Sequence, residues 1–251
     1  MTYKNSNKYL WIYPAVYFVL WIILFEFIFP VNKILPKPSI VFDSAGALWS
    51  DYNFLFNLLS TVGSVYISLL AAYFLVRLFL PAIKSTNSLF HFTLSLEWFS
   101  HYVPGLVLGL FLIYWFPDSE FIEFIFAFCT AFLSLVIKIN KELKTLPDEY
   151  ISSIRSLGAD ELFVTKNIVW KLIQPELFKH LFKLHLYLWL ILIAFEFIKG
   201  GLGIGVIFKD ALLYRDLSAI FLNALLTGVI IYLGTLLIKL AQKKFFNWRL
   251  N

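Results

Sequence analysis

Cysteine is almost missing from this chain. Cys129 is the one such residue in 251, which excludes an internal disulfide and any cysteine-rich metal centre. The four histidines, His91, His101, His180 and His185, are scattered without the spacing that sets ligands on one helix face, so no metal site is expected. Charge is sparse too, at 15% of residues. There is no His-Glu-x-x-His helix, no Gly-x-Ser-x-Gly elbow and no pair of aspartates inside apolar runs, so no catalytic residue is expected. The Gly-Lys-Ser/Thr ending of a P-loop is also absent, and nucleotide hydrolysis of that kind would fall to a separate chain. Gly201-Leu202-Gly203-Ile204-Gly205 superficially suggests a dinucleotide loop, but it follows an apolar run without βαβ context and reads as a tight re-entry.

What the chain has in abundance is apolar surface. Hydrophobic residues make up 60% and aromatics 20%, with a mean hydropathy of +0.79, beyond what a soluble domain of this length carries. A hydrocarbon core needs about 20 apolar residues per crossing. Six runs qualify: 10–29, 54–80, 92–116, 121–139, 181–198 and 217–240. The expected fold is therefore all-α and polytopic, with about six transmembrane helices. In the third run, Glu97, His101 and Pro104 interrupt the first half, so a crossing that begins near Tyr102 is the alternative. The first run resembles a signal peptide behind Lys4 and Lys8, but it is long and leads into Pro30-Val31-Asn32-Lys33 without a small-residue cleavage site, so it is kept as a signal anchor.

Basic residues set the orientation, because loops rich in Lys and Arg stay cytoplasmic. With both termini inside, Lys33, Lys37, Lys199, Lys209 and Arg215 are the outer cations, and the other sixteen of the 21 are inner, with Arg77 near the inner end of the second run. The net charge of +5 then reflects basic membrane edges, and no nucleic acid is called for. A single transmembrane domain over 1–251 is expected, with a first span and outer interfacial segment at 1–53, a core at 54–240 and a cytoplasmic basic tail at 241–251.

Within this apolar chain lies a polar island, 146–175. Pro147 suits the first position of a helix, and Asp148 and Glu149 follow where negative charge complements the helix dipole. Tyr150, Ile151, Ile154 and Leu157 share one face, with Asp148, Ser152, Arg155 and Ser156 opposite. Gly158 fits a left-handed stop, and Asp160 is placed to cap a second helix that runs until Gln174-Pro175 restarts the chain. This is a helix, glycine, helix hairpin on the water side.

Leu146-Pro147-Asp148-Glu149-Tyr150, then Arg155-Ser156-Leu157-Gly158-Ala159, then Pro175 resemble the EAA loop of ABC importer permeases, here 140–176. The nearest subgroup is that of nitrate, sulfonate, taurine and bicarbonate. Leu35-Pro36-Lys37-Pro38-Ser39-Ile40-Val41, Tyr102-Val103-Pro104, Leu112-Ile113-Tyr114-Trp115-Phe116, Ala194-Phe195-Glu196 and Gly203-Ile204-Gly205 with Asp210-Ala211 resemble further stretches of that subgroup in order. Where the family usually has Glu-Ala-Ala, this chain has Ser152-Ser153-Ile154, and Lys171 replaces the first of two prolines.

The resemblance implies the transmembrane subunit of an ATP-driven importer for a small solute, a sulfonate, nitrate, taurine or related small anion or vitamin precursor. It works as a homodimer or heterodimer in the bacterial plasma membrane, with ABC ATPase subunits inside and an extracytoplasmic substrate-binding protein outside. No cofactor is bound by this chain, since its partners use the ATP. Pro147, Tyr150, Ile151, Ile154, Arg155, Leu157, Gly158, Ala159 and Pro175 would form the ATPase-coupling hairpin, gripping through the apolar face and Arg155 because the family's acid is missing. Glu196, Pro104, Gly203 and Gly205 belong to the translocation path or gate, although for Glu196 a plain helix-packing hydrogen bond stands beside that role. Glu26 is expected at the outer interface, Lys183 and His185 snorkelling at the inner one, and Gly63, Gly105, Gly109, Gly228 and Gly234 at close helix crossings. The rival reading is a degenerate permease retained as a non-transporting scaffold or receptor.

Overall fold

Four apolar runs fold into helices long enough to cross a bilayer: α4 (Phe54–Ser85), α7 (Ile122–Lys144), α9 (Glu161–Lys199) and α11 (Leu217–Phe245). The computed structural model describes residues 12–29, 35–119, 121–146, 148–156 and 158–245, without the side chains of 148, 150, 153 and 155. Every regular element among them is helical. The others are α1 (Ile12–Ile28), α2 (Pro38–Asp43), α3 (Ala45–Ser50), α5 (Asn87–Tyr102), α6 (Gly105–Trp115), α8 (Asp148–Ser156) and α10 (Ile204–Leu213). Pro147 and Leu157 lie outside the described residues, as do the side chains of Tyr150 and Arg155, and so do Lys4, Lys8, Lys33 and Arg249.

The core lies where α4, α7 and α9 pack together. Val65, Ala72 and Val76 of α4, Ala131 and Leu135 of α7, and Leu188, Leu192 and Phe195 of α9 are buried there. Small residues at the crossings let the backbones approach, as expected between helices in lipid. Gly105, Gly109 and Gly234 each face side chains of a neighbouring helix, whereas a side chain at Gly63 would meet only its own helix and one at Gly228 would meet open space. A second, smaller apolar cluster forms the outer layer, joining Val41 and Leu48 of the short helices to Ile207 and Ala211 of α10 and to Ala219 and Leu222 of α11. Glu26 of α1 accepts hydrogen bonds from the hydroxyl (2.9 Å) and N–H (3.3 Å) of Ser39. It thus joins the first helix to the start of α2.

Among the described residues four helices are long and apolar enough to cross a membrane, or five if α5 and α6 are taken as one span bent by 96°, and α1 is a shorter apolar helix, in keeping with the all-α polytopic fold expected. The third run breaks where its proline dictates. Pro104 has no N–H, and it holds Val103 extended at φ −107°, ψ 110°. Pro175, by contrast, does not restart the chain. Helix α9 runs 39 residues without interruption, with Pro175 buried in its interior. A proline there costs about 3 kcal/mol in an isolated helix, which burial of Trp170, Ile173 and Leu177 on the same stretch offsets.

Candidate functional site: a hairpin and a clamp at the two ends of α9

At the N-terminal end of α9, helix α8 forms as its dipole-matched first turn and amphipathic spacing predict. Gly158 stops it at φ +84°, a left-handed conformation that a side chain would strain. Asp160 takes the cap position of α9 through its backbone, its carbonyl accepting from the Val164 N–H at 2.9 Å, while its side chain makes no cap bond. Four residues later the helix widens: over Val164–Val169 the Trp170 N–H reaches back five residues to the Thr165 carbonyl. Helix α8 packs on this wide turn.

That packing turns part of the hairpin's apolar side toward the chain itself. Ile151 is 6% exposed and belongs to the chain's own core, and Ile154 and Ala159 are half-buried against the same cluster. Among the described side chains of the apolar face of α8, Ile151 and Ile154 are spent inward. Glu149, Ser152, Ser156 and Gly158 are the exposed positions, and the two serine hydroxyls bond back to carbonyls of their own helix. Lys84 at the end of α4 pairs with Glu161 at 3.0 Å, and the Arg77 guanidinium lies 5.6 Å from the Trp170 ring. Both contacts fix the hairpin to the end of α4.

At the C-terminal end of α9, Glu196 is fully buried. The chain reverses through Gly200, Gly201 and Gly203, all at positive φ, and α10 begins with its amides aimed back at α4 and α9. The first N–H groups of any helix lack partners within it. Here each is met by a side chain: the Gly203 N–H by Asn57 Oδ1 at 2.8 Å, the Ile204 N–H by Thr61 Oγ1 at 2.9 Å, and the Gly205 N–H by Glu196 Oε2 at 2.9 Å. Thr61 donates its own proton to Glu196 Oε1 at 2.8 Å, closing a ring across three helices. A side chain at Gly203 would overlap the Glu196 carboxyl, and one at Gly205 the Ile193 carbonyl. Beside the ring, Lys199 pairs with the buried Glu123 of α7 at 2.6 Å and donates to the Ser119 carbonyl. Asp216 caps α11 through the Ala219 N–H and accepts from the Tyr52 hydroxyl at 3.2 Å. Burial, with Asp216 beside it, pushes the Tyr52 phenol up to about 12.

The family model of binding-protein-dependent transport system inner membrane components matches residues 87–248. The chain belongs to this family. It is a multi-pass membrane permease, the transmembrane subunit of an ABC importer, and not itself the enzyme of that system. Among curated proteins, none matches the sequence.

The permease family's matched stretch holds the hairpin, Pro104, Glu196, Gly203 and Gly205, but half of the clamp lies outside it, on α4. Asn57 and Thr61 are functional candidates that sequence reasoning missed. Their signal was a row of small polar residues, Asn57, Thr61, Ser64 and Ser68, at the helical repeat and all buried. Glu196, Gly203 and Gly205 are brought together by the clamp; Pro104 is not, lying instead at the α5–α6 break. His185 is corrected: it is fully buried rather than snorkelling. The Trp189 indole donates to its Nε2 at 3.0 Å, and the Tyr66 hydroxyl lies 2.9 Å from the same nitrogen. Lys183 is exposed, as expected.

Proposed function

We propose that this permease works as one half of a homodimer or heterodimer, with both termini cytoplasmic in a bacterial plasma membrane. Two ATPase subunits dock on its hairpins, and an extracytoplasmic substrate-binding protein docks on the outer segments 36–51 and 200–216. The sixteen-to-five division of basic residues supports this orientation. The cargo is a small solute of the sulfonate, nitrate, taurine, small-anion or vitamin-precursor class that the subgroup resemblance implies. This chain holds no cofactor, and ATP is consumed by its partners.

One observation carries the reading. One continuous helix, widened at Val164–Val169, joins the hairpin to the clamp, and from Glu161 to Glu196 it covers about 50 Å at 1.5 Å per residue. A displacement of the hairpin by closing ATPases is therefore delivered to the ring of Asn57, Thr61 and Glu196 that holds α10. ATP biases the cycle only through a difference in ATPase affinity for the inward-open and outward-open permease. The docking face is the outward side of α8, at Ser152, Ser156 and Gly158, with Arg155 at its rim.

Co-purification with the ATPase encoded beside this permease tests the docking face. Nothing lies within 4 Å of a side chain built at Gly158, so Gly158→Trp changes the exposed surface, while Gly158→Asn retains a residue that tolerates a left-handed backbone. Wild type and Gly158→Asn recover the ATPase, and Gly158→Trp recovers at least tenfold less. Equal recovery by all three overturns the docking site. Hydrolysis stimulated by the substrate-binding protein in proteoliposomes separates a transporter from the inert scaffold, which gives no stimulation.

A further inference from the structure

The break between α5 and α6 lies against α9, with Val103 and Gly105 partly buried and Pro104 exposed. A side chain built at Gly105 would lie 3.3 Å from Ile191 and 3.7 Å from the Tyr187 hydroxyl. Those residues precede Lys199 by eight and twelve positions, about 12–18 Å along α9, near the middle of a hydrocarbon core of about 30 Å. At this depth the backbone of Val103 and Pro104 is extended, and Pro104 has no N–H to return to the Ser100 carbonyl. Non-helical backbone at membrane depth is tolerated only where it is enclosed by protein or lines a water-filled cavity.

A cavity of about 260 Å³ opens at this point between α5, α6, α7 and α9. Its polar groups are Ser100, Thr130, Ser134, Tyr187 and Cys129, and Ser134 is bonded to His180 at 2.9 Å. The wall contains no Asp, Glu, Lys or Arg. The lysines of α7 nearest its inner rim are matched by acids, Lys138 by Glu142 at 2.7 Å and Lys141 by Glu97 at 3.5 Å. A charged solute entering here would lose its hydration without gaining a counter-charge. An uncharged one would exchange water for hydroxyl partners at little cost.

We propose that this cavity is the intramembrane station of the transported solute, and that the solute is a small uncharged molecule carrying several hydrogen-bonding groups. This rests on the importer reading and narrows its cargo to the uncharged end of the range. At about 30 Å³ per water the space equals roughly nine waters, a volume that suits a solute smaller than a typical drug.

The chain's own thiol tests it, because Cys129 is exposed in this wall. The purified permease, in lipid nanodiscs, is treated with hydroxyethyl, sulfonatoethyl, trimethylammonioethyl and benzyl methanethiosulfonates, each rate being divided by that of a free thiol. Cys129→Ser supplies the unlabelled blank. The hydroxyethyl reagent reacts at least tenfold faster than either charged reagent. Charged reagents keeping pace overturn the uncharged class; benzyl reagent alone reacting, or none, overturns the aqueous cavity. In proteoliposomes containing the ATPase, hydroxyethyl modification of the wild type lowers binding-protein-stimulated hydrolysis at least fivefold, and an unchanged rate overturns the station. Failure of the unmodified permease to recover its ATPase instead overturns the importer reading, whatever the labelling pattern.

Discussion

At its outer end α9 presents a carboxylate whose partners are all protein groups, while at its inner end it carries a hairpin whose polar side faces outward. Around Glu196 every polar atom of the ring is directed at another, and three amides of α10 are answered by three side chains from two other helices. Around α8 the inward face is apolar and the outward serines bond only to their own helix. A closed ring resists substitution because removing one member strands the others in a dry interior. An outward polar face tolerates substitution and is free to meet another protein.

Variants that separate stability from coupling test this contrast. Glu196→Ala removes the acceptor for both Thr61 and the Gly205 N–H and leaves a void, so a loss of about 4 kcal/mol is expected; thermal melting in detergent, followed by tryptophan fluorescence, checks it. Glu196→Gln, which keeps one acceptor oxygen, should lose distinctly less, and equal losses would show that the ring is not the cause. Gly203→Ala places a side chain into the Glu196 carboxyl at a φ of +116°, for which about 2–3 kcal/mol is expected from strain and overlap. Lys199→Met strands the buried Glu123 and should cost about 2 kcal/mol, partly recovered in the Lys199→Met, Glu123→Met double variant. At the other end, Ile151→Ala should cost about 1–2 kcal/mol, because its neighbours can settle into the space on one side only. Ser152→Ala should shift stability by no more than about 0.5 kcal/mol. A large loss from Ser152→Ala would break the contrast.

The long spans were legible because an apolar run of sufficient length has few alternatives in lipid, and α4, α7 and α11 fall close to their expected places. The left-handed stop at Gly158 was legible for a similar local reason. Pro104 and Pro175 illustrate what was not. Each removes one N–H, yet Pro104 follows a stretch with little buried surface, Thr93 being the buried residue of α5, so nothing holds the helix together there. Pro175 sits among buried neighbours that do. Local propensity is the same at both sites, and tertiary packing decides between them. The inward turn of Ile151 and Ile154 escaped for the same reason, since an amphipathic helix announces an apolar face but not what covers it. The clamp required knowing that α4 passes the start of α10, 143 residues apart for Thr61 and Ile204. Only the polar row along α4 hinted at it.

The wide turn at Val164–Val169 and the proline at 175 both lie in the hairpin-side half of α9, where the regular ladder of backbone bonds is interrupted twice within a dozen residues. Beyond Pro175 the helix is unbroken to Lys199. Mechanically, this makes α9 a stiff rod with a compliant foot. A push on the hairpin is taken up first as bending near the foot, and only the remainder travels outward. Under the proposed coupling, the stroke that reaches the clamp is thus set by how far this segment can flex, which would place the gearing of the permease in the backbone rather than in any charged side chain.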